Sequence, residues 1–75
     1  MAETTYIHDY KVKYEPNDVR EGIRYLREHL EPAETKVFFE MAKKNNSCEF
    51  EDKSDRNYTL WHKEYNTFIL TRRKD

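Results

Sequence analysis

The spacing of apolar residues changes twice along this 75-residue chain, and this change limits the possible folds more than any other feature. Residues 5–14 alternate aromatic or β-branched side chains with polar ones, which is typical of a strand. Residues 18–44 repeat apolar side chains every three or four positions, which is typical of helices. Residues 47–72 alternate again. The pattern therefore predicts a strand, two helices and three more strands.

Turn and capping residues separate these elements. Pro32 ends the first helix and begins the second, and Asn45 with Asn46 ends the second, because asparagine tolerates the left-handed backbone that closes helices. The predicted elements are a strand at 5–14, helices at 18–30 and 32–44, and strands at 47–52, 58–63 and 67–72. Residues 1–4 and 74–75 are expected to be frayed. We expect one small α+β domain of order β-α-α-β-β-β, with both helices on one face of a small antiparallel sheet.

Each helix has one apolar stripe that is predicted to face the sheet. The first stripe consists of Val19, Ile23, Leu26 and Leu30. The second consists of Ala33, Val37 and Met41, with Phe38 and Ala42 beside it. Phe39 lies on the opposite side of the second helix, about 160° to 200° away at 100° per residue. It therefore has no obvious place in the core.

Composition indicates a folded protein that is not strongly attracted to polyanions. The chain carries 14 Lys and Arg against 15 Asp and Glu, which gives a formal net charge of -1. Aromatic residues make up 15% of the chain and supply the buried area that the few aliphatic residues do not. Cys48 is the one cysteine, and there is neither an apolar run near the length of a membrane helix nor a signal peptide pattern. We expect a cytoplasmic protein with no membrane partner.

Catalytic and metal-binding signatures are missing from the sequence. The histidines, His8, His29 and His62, lack the paired spacing of zinc sites, so a site built from His8, His62 and Cys48 is disfavoured. Flanking carboxylates make Cys48 a poor nucleophile. Gly22, the one glycine, lies within a predicted helix, which excludes a glycine-rich phosphate loop. We expect no enzyme activity, no cofactor and no metal.

The second face of the sheet is the strongest candidate for a binding surface. If alternate strand residues face the helices, then Ile7, Trp61 and Ile69 face away from them. Exposed apolar surface marks partner sites, and tryptophan is a frequent interface anchor. Phe39 is added because it has no core position. In the alternative interpretation, a bulge shifts the register and these residues complete the core.

Arginines form a second candidate surface. Arg20, Arg24 and Arg27 fall along one flank of the first helix, and Arg72 and Arg73 lie near the C-terminus. Such groups bind phosphates or acidic side chains. The alternative is a solvated face balanced by Arg–Glu pairs within the helix.

These features lead to three functional hypotheses. The first is a small non-enzymatic binding or regulatory protein that contacts another protein or a second copy of itself. The alternative is a nucleic-acid-binding regulatory module, because the element order is similar to a helix-turn-helix with a wing; its contacts would come from Lys36, Lys43, Lys44, Arg72, Arg73 and Lys74. The third, a ribonuclease-like toxin using His29, His62 and Arg72, rests on residue type alone.

Overall fold

A computed structural model describes residues 3–73 of the chain, and of residues 16–18 the backbone alone. Within that range lie two α-helices and a five-stranded, mostly antiparallel sheet. The elements are β1 (Glu3–Ile7), β2 (Tyr10–Tyr14), α1 (Pro16–Arg24), a π-helical segment (Tyr25–His29), α2 (Pro32–Asn45), β3 (Ser47–Glu51), β4 (Asn57–Glu64) and β5 (Thr67–Arg73). Their order roughly follows the predicted one.

The sheet differs from the predicted antiparallel one in containing a parallel pair of strands. Its strand order is β1-β2-β5-β4-β3, and β2 runs parallel to β5, with Val12 opposite Phe68 and Tyr14 opposite Leu70. The other neighbouring strands are antiparallel. The parallel pair arises because both helices and two strands intervene between β2 and β5, so the chain can return in the original direction.

The predicted first strand is a hairpin of two strands, β1 and β2. His8 and Asp9 form the turn, and His8 takes a positive φ of 56°. Continuous alternation would have placed Ile7 and Tyr10 on opposite faces. The hairpin pairs them directly, and directly opposed residues share a face. Ile7 therefore joins the core.

The first helix begins at Pro16 and changes to a π-helical turn at Tyr25. This turn buries Leu26 and ends at His29, and the next residue, Leu30, has an extended backbone. The buried hydroxyl of Thr35 donates to the carbonyl oxygen of Leu26 over 2.9 Å, which satisfies one acceptor at the end of the first helix. Thr35 thereby links the two helices.

The prediction of the buried side of α2 is wrong. Thr35, Phe39 and Ala42 are fully buried, whereas Val37 and Met41 are 59% and 47% exposed. The two sets lie on opposite sides of the helix, and the larger aromatic side chain occupies the core. The helix begins at Pro32 and is closed by Asn46, with a φ of 74°, as expected, and Glu31 and Glu34 add a capping box at its start.

Aromatic rings fill much of the core. The ring of Phe39 stacks on Tyr10, with centroids 4.2 Å apart, and meets Phe68 edge to face at 4.7 Å. Tyr58 is fully buried and packs against Gly22 of α1, where a Cβ would lie 2.8 Å from the Tyr58 ring. The one glycine therefore permits a close approach between α1 and β4.

Candidate functional site

Strand register places a set of residues on the side of the sheet opposite the buried apolar strand residues. Lys13 of β2 is opposite Ile69 of β5, and Ile69 is opposite Trp61 of β4. Tyr6 of β1 is likewise opposite Lys11 of β2. We name this surface the outer sheet face, and its members used below are Tyr6, Lys11, Lys13, Trp61, Ile69 and Thr71.

Trp61 is held in a fixed orientation on β4, next to the central strand β5. Its side chain is 46% exposed, and its indole Nε1 donates a hydrogen bond to Thr71 Oγ1 over 2.9 Å. Thr71 is a diagonal neighbour on β5, so the bond directs the ring across the sheet. Ile69, half-buried, lies directly opposite Trp61. The result is an apolar platform whose one polar atom already has a partner.

The two borders of the platform formed by Trp61 and Ile69 carry different charged groups. Lys11 and Lys13 lie on the β2 side of the platform, next to the exposed Tyr6. On the β3 side, the guanidinium of Arg73 binds the carboxylate of Glu49 over 3.0 Å. The platform is therefore bordered by two lysines on one side and by a salt bridge on the other.

Two residues predicted for this surface lie in the core instead. Ile7 and Phe39 are both fully buried, so the expectation that they are exposed is wrong. Ile7 is turned inward by the hairpin, and Phe39 by the orientation of α2. Tyr6 and the lysines of β2 take their place at the surface. No sequence signal identifies them, because His8-Asp9 is not one of the residue pairs that commonly form two-residue turns.

The predicted arginine stripe lines a groove together with an equal number of glutamates. Arg20, Arg24 and Arg27 lie along the groove, whose volume is about 420 Å³ and whose other lining residues include Glu3, Glu21 and Glu28. Arg24 forms a salt bridge with Glu28 over 3.4 Å. Arg27 donates to the hydroxyl of Thr5 and to the carbonyl oxygen of Tyr6. The groove is thus balanced in charge, and Arg27 fastens the first helical region to β1.

The basic residues proposed to contact nucleic acid, as far as the structure describes them, lie on two different elements, α2 and β5. Arg72 is exposed at the end of β5 and Arg73 binds Glu49. On α2, the Lys43 ammonium lies 2.7 Å from Asn66 Oδ1 and 3.5 Å from Glu40. Lys43 is therefore engaged in contacts within the chain. Lys74 lies outside the described residues.

The histidines and the cysteine are dispersed. His8 occupies the β1–β2 turn, His29 ends the π-helical segment, and His62 Nε2 lies 2.9 Å from the carbonyl oxygen of Tyr65. Burial, with help from Glu49, raises the pKa of the Cys48 thiol, which disfavours the thiolate. In the part of the chain from 3 to 73, no group of three or more His, Cys, Asp or Glu side chains is arranged to hold a metal ion.

Asp52 organises the turn between β3 and β4, and the sequence pattern does not predict its contacts. Its carboxylate accepts hydrogen bonds from the backbone N–H groups of Ser54 and Arg56, at 2.8 and 3.0 Å, and from the Tyr58 hydroxyl at 3.0 Å. Burial alone would raise the pKa of Asp52, but these bonds and the Arg56 charge together lower it. Burial and the nearby carboxylate raise the pKa of Tyr58. Every oxygen is engaged within the turn, so the cluster is structural.

Comparisons with known proteins add no assignment. Neither helix found in residues 3–73 combines the length and the apolar character needed to cross a bilayer. The chain matches no protein-family model, and searches of curated proteins and of solved structures gave no match either.

Proposed function

We propose that this chain is a small non-enzymatic binding protein of the cytoplasm that holds another protein on its outer sheet face. The observation that carries the proposal is the half-exposed Trp61 ring, fixed by Thr71 beside Ile69. A rigid aromatic side chain loses little conformational entropy on binding, so it is well suited to anchor a partner.

The proposal includes the placement of both helices on the other face of the sheet. The buried residues of α1 and α2, among them Val19, Ile23, Phe39 and Ala42, belong to one core cluster with Phe68 and Leu70 of β5. Ile69 lies between Phe68 and Leu70 in the strand and points the other way. Helices on one face leave the outer sheet face available to a partner.

Charge suggests the chemistry of that partner. Lys11 and Lys13 border the platform, whereas the cation of Arg73 at the opposite border has Glu49 beside it. A protein that inserts an apolar side chain next to Trp61 and places acidic residues over β2 fits this arrangement. The lysines would guide encounter and orientation more than they would add affinity.

A site-specific photo-crosslinker at Lys13 in cells tests the proposal. The expected product is a discrete crosslinked protein that disappears in Trp61→Ala and weakens in Thr71→Val, which frees the indole. Tyr65→Ala is the matched control, because Tyr65 is a 90% exposed aromatic residue in the β4–β5 turn. A crosslinking pattern that is unchanged by Trp61→Ala would contradict the proposal.

A nucleic-acid-binding module is the second candidate, and the pairing of Trp61 with two lysines on one sheet face is the observation in its favour. Aromatic residues and cations together form platforms for single strands. Trp61 is the one tryptophan, so its fluorescence reports the site directly. This candidate predicts quenching by a single-stranded oligonucleotide that is lost as salt rises, whereas the protein-binding proposal predicts no such quenching.

A further inference from the structure

The exposed side of α2 carries an apolar stripe that no other part of the described chain covers. Val37 and Met41 are 59% and 47% exposed, and Ala33 is exposed on the same side. Together with Lys36, Glu40 and Lys44, they line a shallow groove of about 360 Å³. We define these six residues as the α2 stripe. It lies on the side of the helix opposite Phe39 and Ala42, so it is separate from the core.

Charges along α2 are arranged so that the helix complements a reversed copy of itself. Glu34 lies in its first turn, and Lys44 lies in its last turn. Lys36 and Glu40 lie on the same flank of Val37, about one helical turn apart. In a parallel pair of these helices each charge would meet its own copy, and like charges repel. An antiparallel pair brings opposite charges together and also opposes the two helix dipoles.

The register of that antiparallel pair follows from the positions of the apolar residues. A two-fold axis midway between positions 38 and 39 places Val37 of one copy beside Met41 of the other. The offset between them along the helix axis is one residue, or about 1.5 Å. The same axis brings Lys36 near Glu40 of the second copy, and Glu34 near Lys44 of the second copy. Each of these pairs is also offset by one residue along the helix. One register therefore satisfies the apolar and the charged pairs together.

From these observations we infer that the α2 stripe is the contact surface of a symmetric antiparallel dimer of this chain. A two-fold interface must be complementary to itself, and the stripe meets that condition. A single helix face is smaller than the roughly 800 Å² per partner of a standard stable complex. The dimer is therefore weak and its population depends on concentration.

Sedimentation equilibrium of the full chain over a wide range of protein concentration tests the inference. We expect a reversible monomer–dimer equilibrium whose dissociation constant rises by at least about tenfold in Val37→Glu and in Met41→Glu, the effect of losing one central anchor. Trp61→Ala is the matched control, and it should leave the equilibrium unchanged because Trp61 lies on the outer sheet face. Circular dichroism confirms that each variant is folded.

A charge cycle tests the register separately from the apolar contact. Lys44→Glu should weaken the dimer, because it places a carboxylate opposite Glu34 of the second copy. Glu34→Gln retains the side-chain acceptor of the capping box, in which Glu34 accepts from the backbone N–H of Glu31. The double variant Glu34→Gln/Lys44→Glu should therefore dimerise better than Lys44→Glu alone.

Several outcomes would overturn the inference. A chain that stays monomeric at the highest concentration has no such dimer. A dimer that is lost in Trp61→Ala but retained in Val37→Glu forms through the outer sheet face instead. A double variant no better than Lys44→Glu would show that Glu34 and Lys44 of the two copies do not meet, and the antiparallel register would be wrong.

Discussion

Asp52 illustrates how one carboxylate can fix the geometry of a whole turn. It is buried, yet it has hydrogen bonds from two backbone N–H groups and from the Tyr58 hydroxyl, and a salt bridge to Arg56 at 3.3 Å. A buried charge is tolerated when it is paired and hydrogen-bonded in this way. Tyr58 in turn lies in the core against Gly22. The turn is thereby tied to the packing of α1 on the sheet.

Replacing Asp52 by Asn should lower the free energy of unfolding by about 1–3 kcal/mol at neutral pH, because the amide loses the charge and places a donor toward Tyr58 or Arg56. The pKa of Asp52 in the folded chain lies below its ordinary value of 3.8. The charged carboxylate therefore stabilises the fold fully above about pH 5, and this contribution is lost as the pH falls through 3.8 toward the folded pKa. Denaturant unfolding at several pH values measures the effect.

Asp55→Asn is the matched control for that experiment. Asp55 occupies the same turn with an exposed side chain and a φ of 62°, which asparagine tolerates. We expect its stability to equal that of the unchanged chain. A constant gap between Asp52→Asn and the unchanged chain from pH 7 down to pH 2 would mean that the charge of Asp52 does not stabilise the fold.

At the scale of elements, α2 has two faces that sequence periodicity cannot rank. Ala33, Val37 and Met41 form a regular stripe, but so do Thr35, Phe39 and Ala42. The second set is buried because Phe39 fits between Tyr10 and Phe68, with ring centroids 4.2 and 4.7 Å away. Aromatic rings bury more area than short aliphatic side chains, which favours this orientation of the helix.

A pair of substitutions on α2 tests this orientation. Phe39→Ala should lower the free energy of unfolding by about 3–5 kcal/mol, because it leaves a cavity in the core. Val37→Ala, two residues away, should change it by no more than about 0.5 kcal/mol, as exposed positions do. Urea unfolding at low protein concentration measures both values without a contribution from association. The reverse ranking would place Val37 in the core.

The sequence predicts local structure here better than it predicts contacts between distant segments. The extent of α2 and its closure at Asn46 depend on neighbouring residues, and both were predicted closely. The hairpin at His8 was missed because His-Asp is not a common turn pair. The parallel pairing of β2 with β5 is not predicted by any local sequence pattern. For the candidate site, Trp61 and Ile69 are opposite each other in β4 and β5, whereas the positions of Ile7 and Phe39 depend on those distant contacts.

At the scale of the whole molecule, the sheet joins the two ends of the chain. β2 near the N-terminus pairs with β5 near the C-terminus, and β5 also pairs with β4. Val12 of β2 and Phe68 of β5 are opposite each other and fully buried. Contacts between segments so far apart in sequence form only after a large loss of chain entropy. We therefore expect the fold to require the N-terminal hairpin.

Deleting residues 1–14 should abolish cooperative unfolding. The shortened chain loses the fully buried Ile7 and Val12 and leaves one edge of β5 without a neighbouring strand. It also loses the Thr5 and Tyr6 acceptors of Arg27. The free energy of unfolding of a small domain is about 5–15 kcal/mol, and two buried aliphatic side chains account for much of that range.

His8→Gly is the control: glycine accepts the positive φ at this turn, so a cooperative thermal transition should persist. Adding residues 1–14 back as a peptide should restore the near-ultraviolet circular dichroism of the aromatic core in a saturable manner. A cooperative transition in the deleted chain without that peptide would show that β2 does not hold β5 in the sheet.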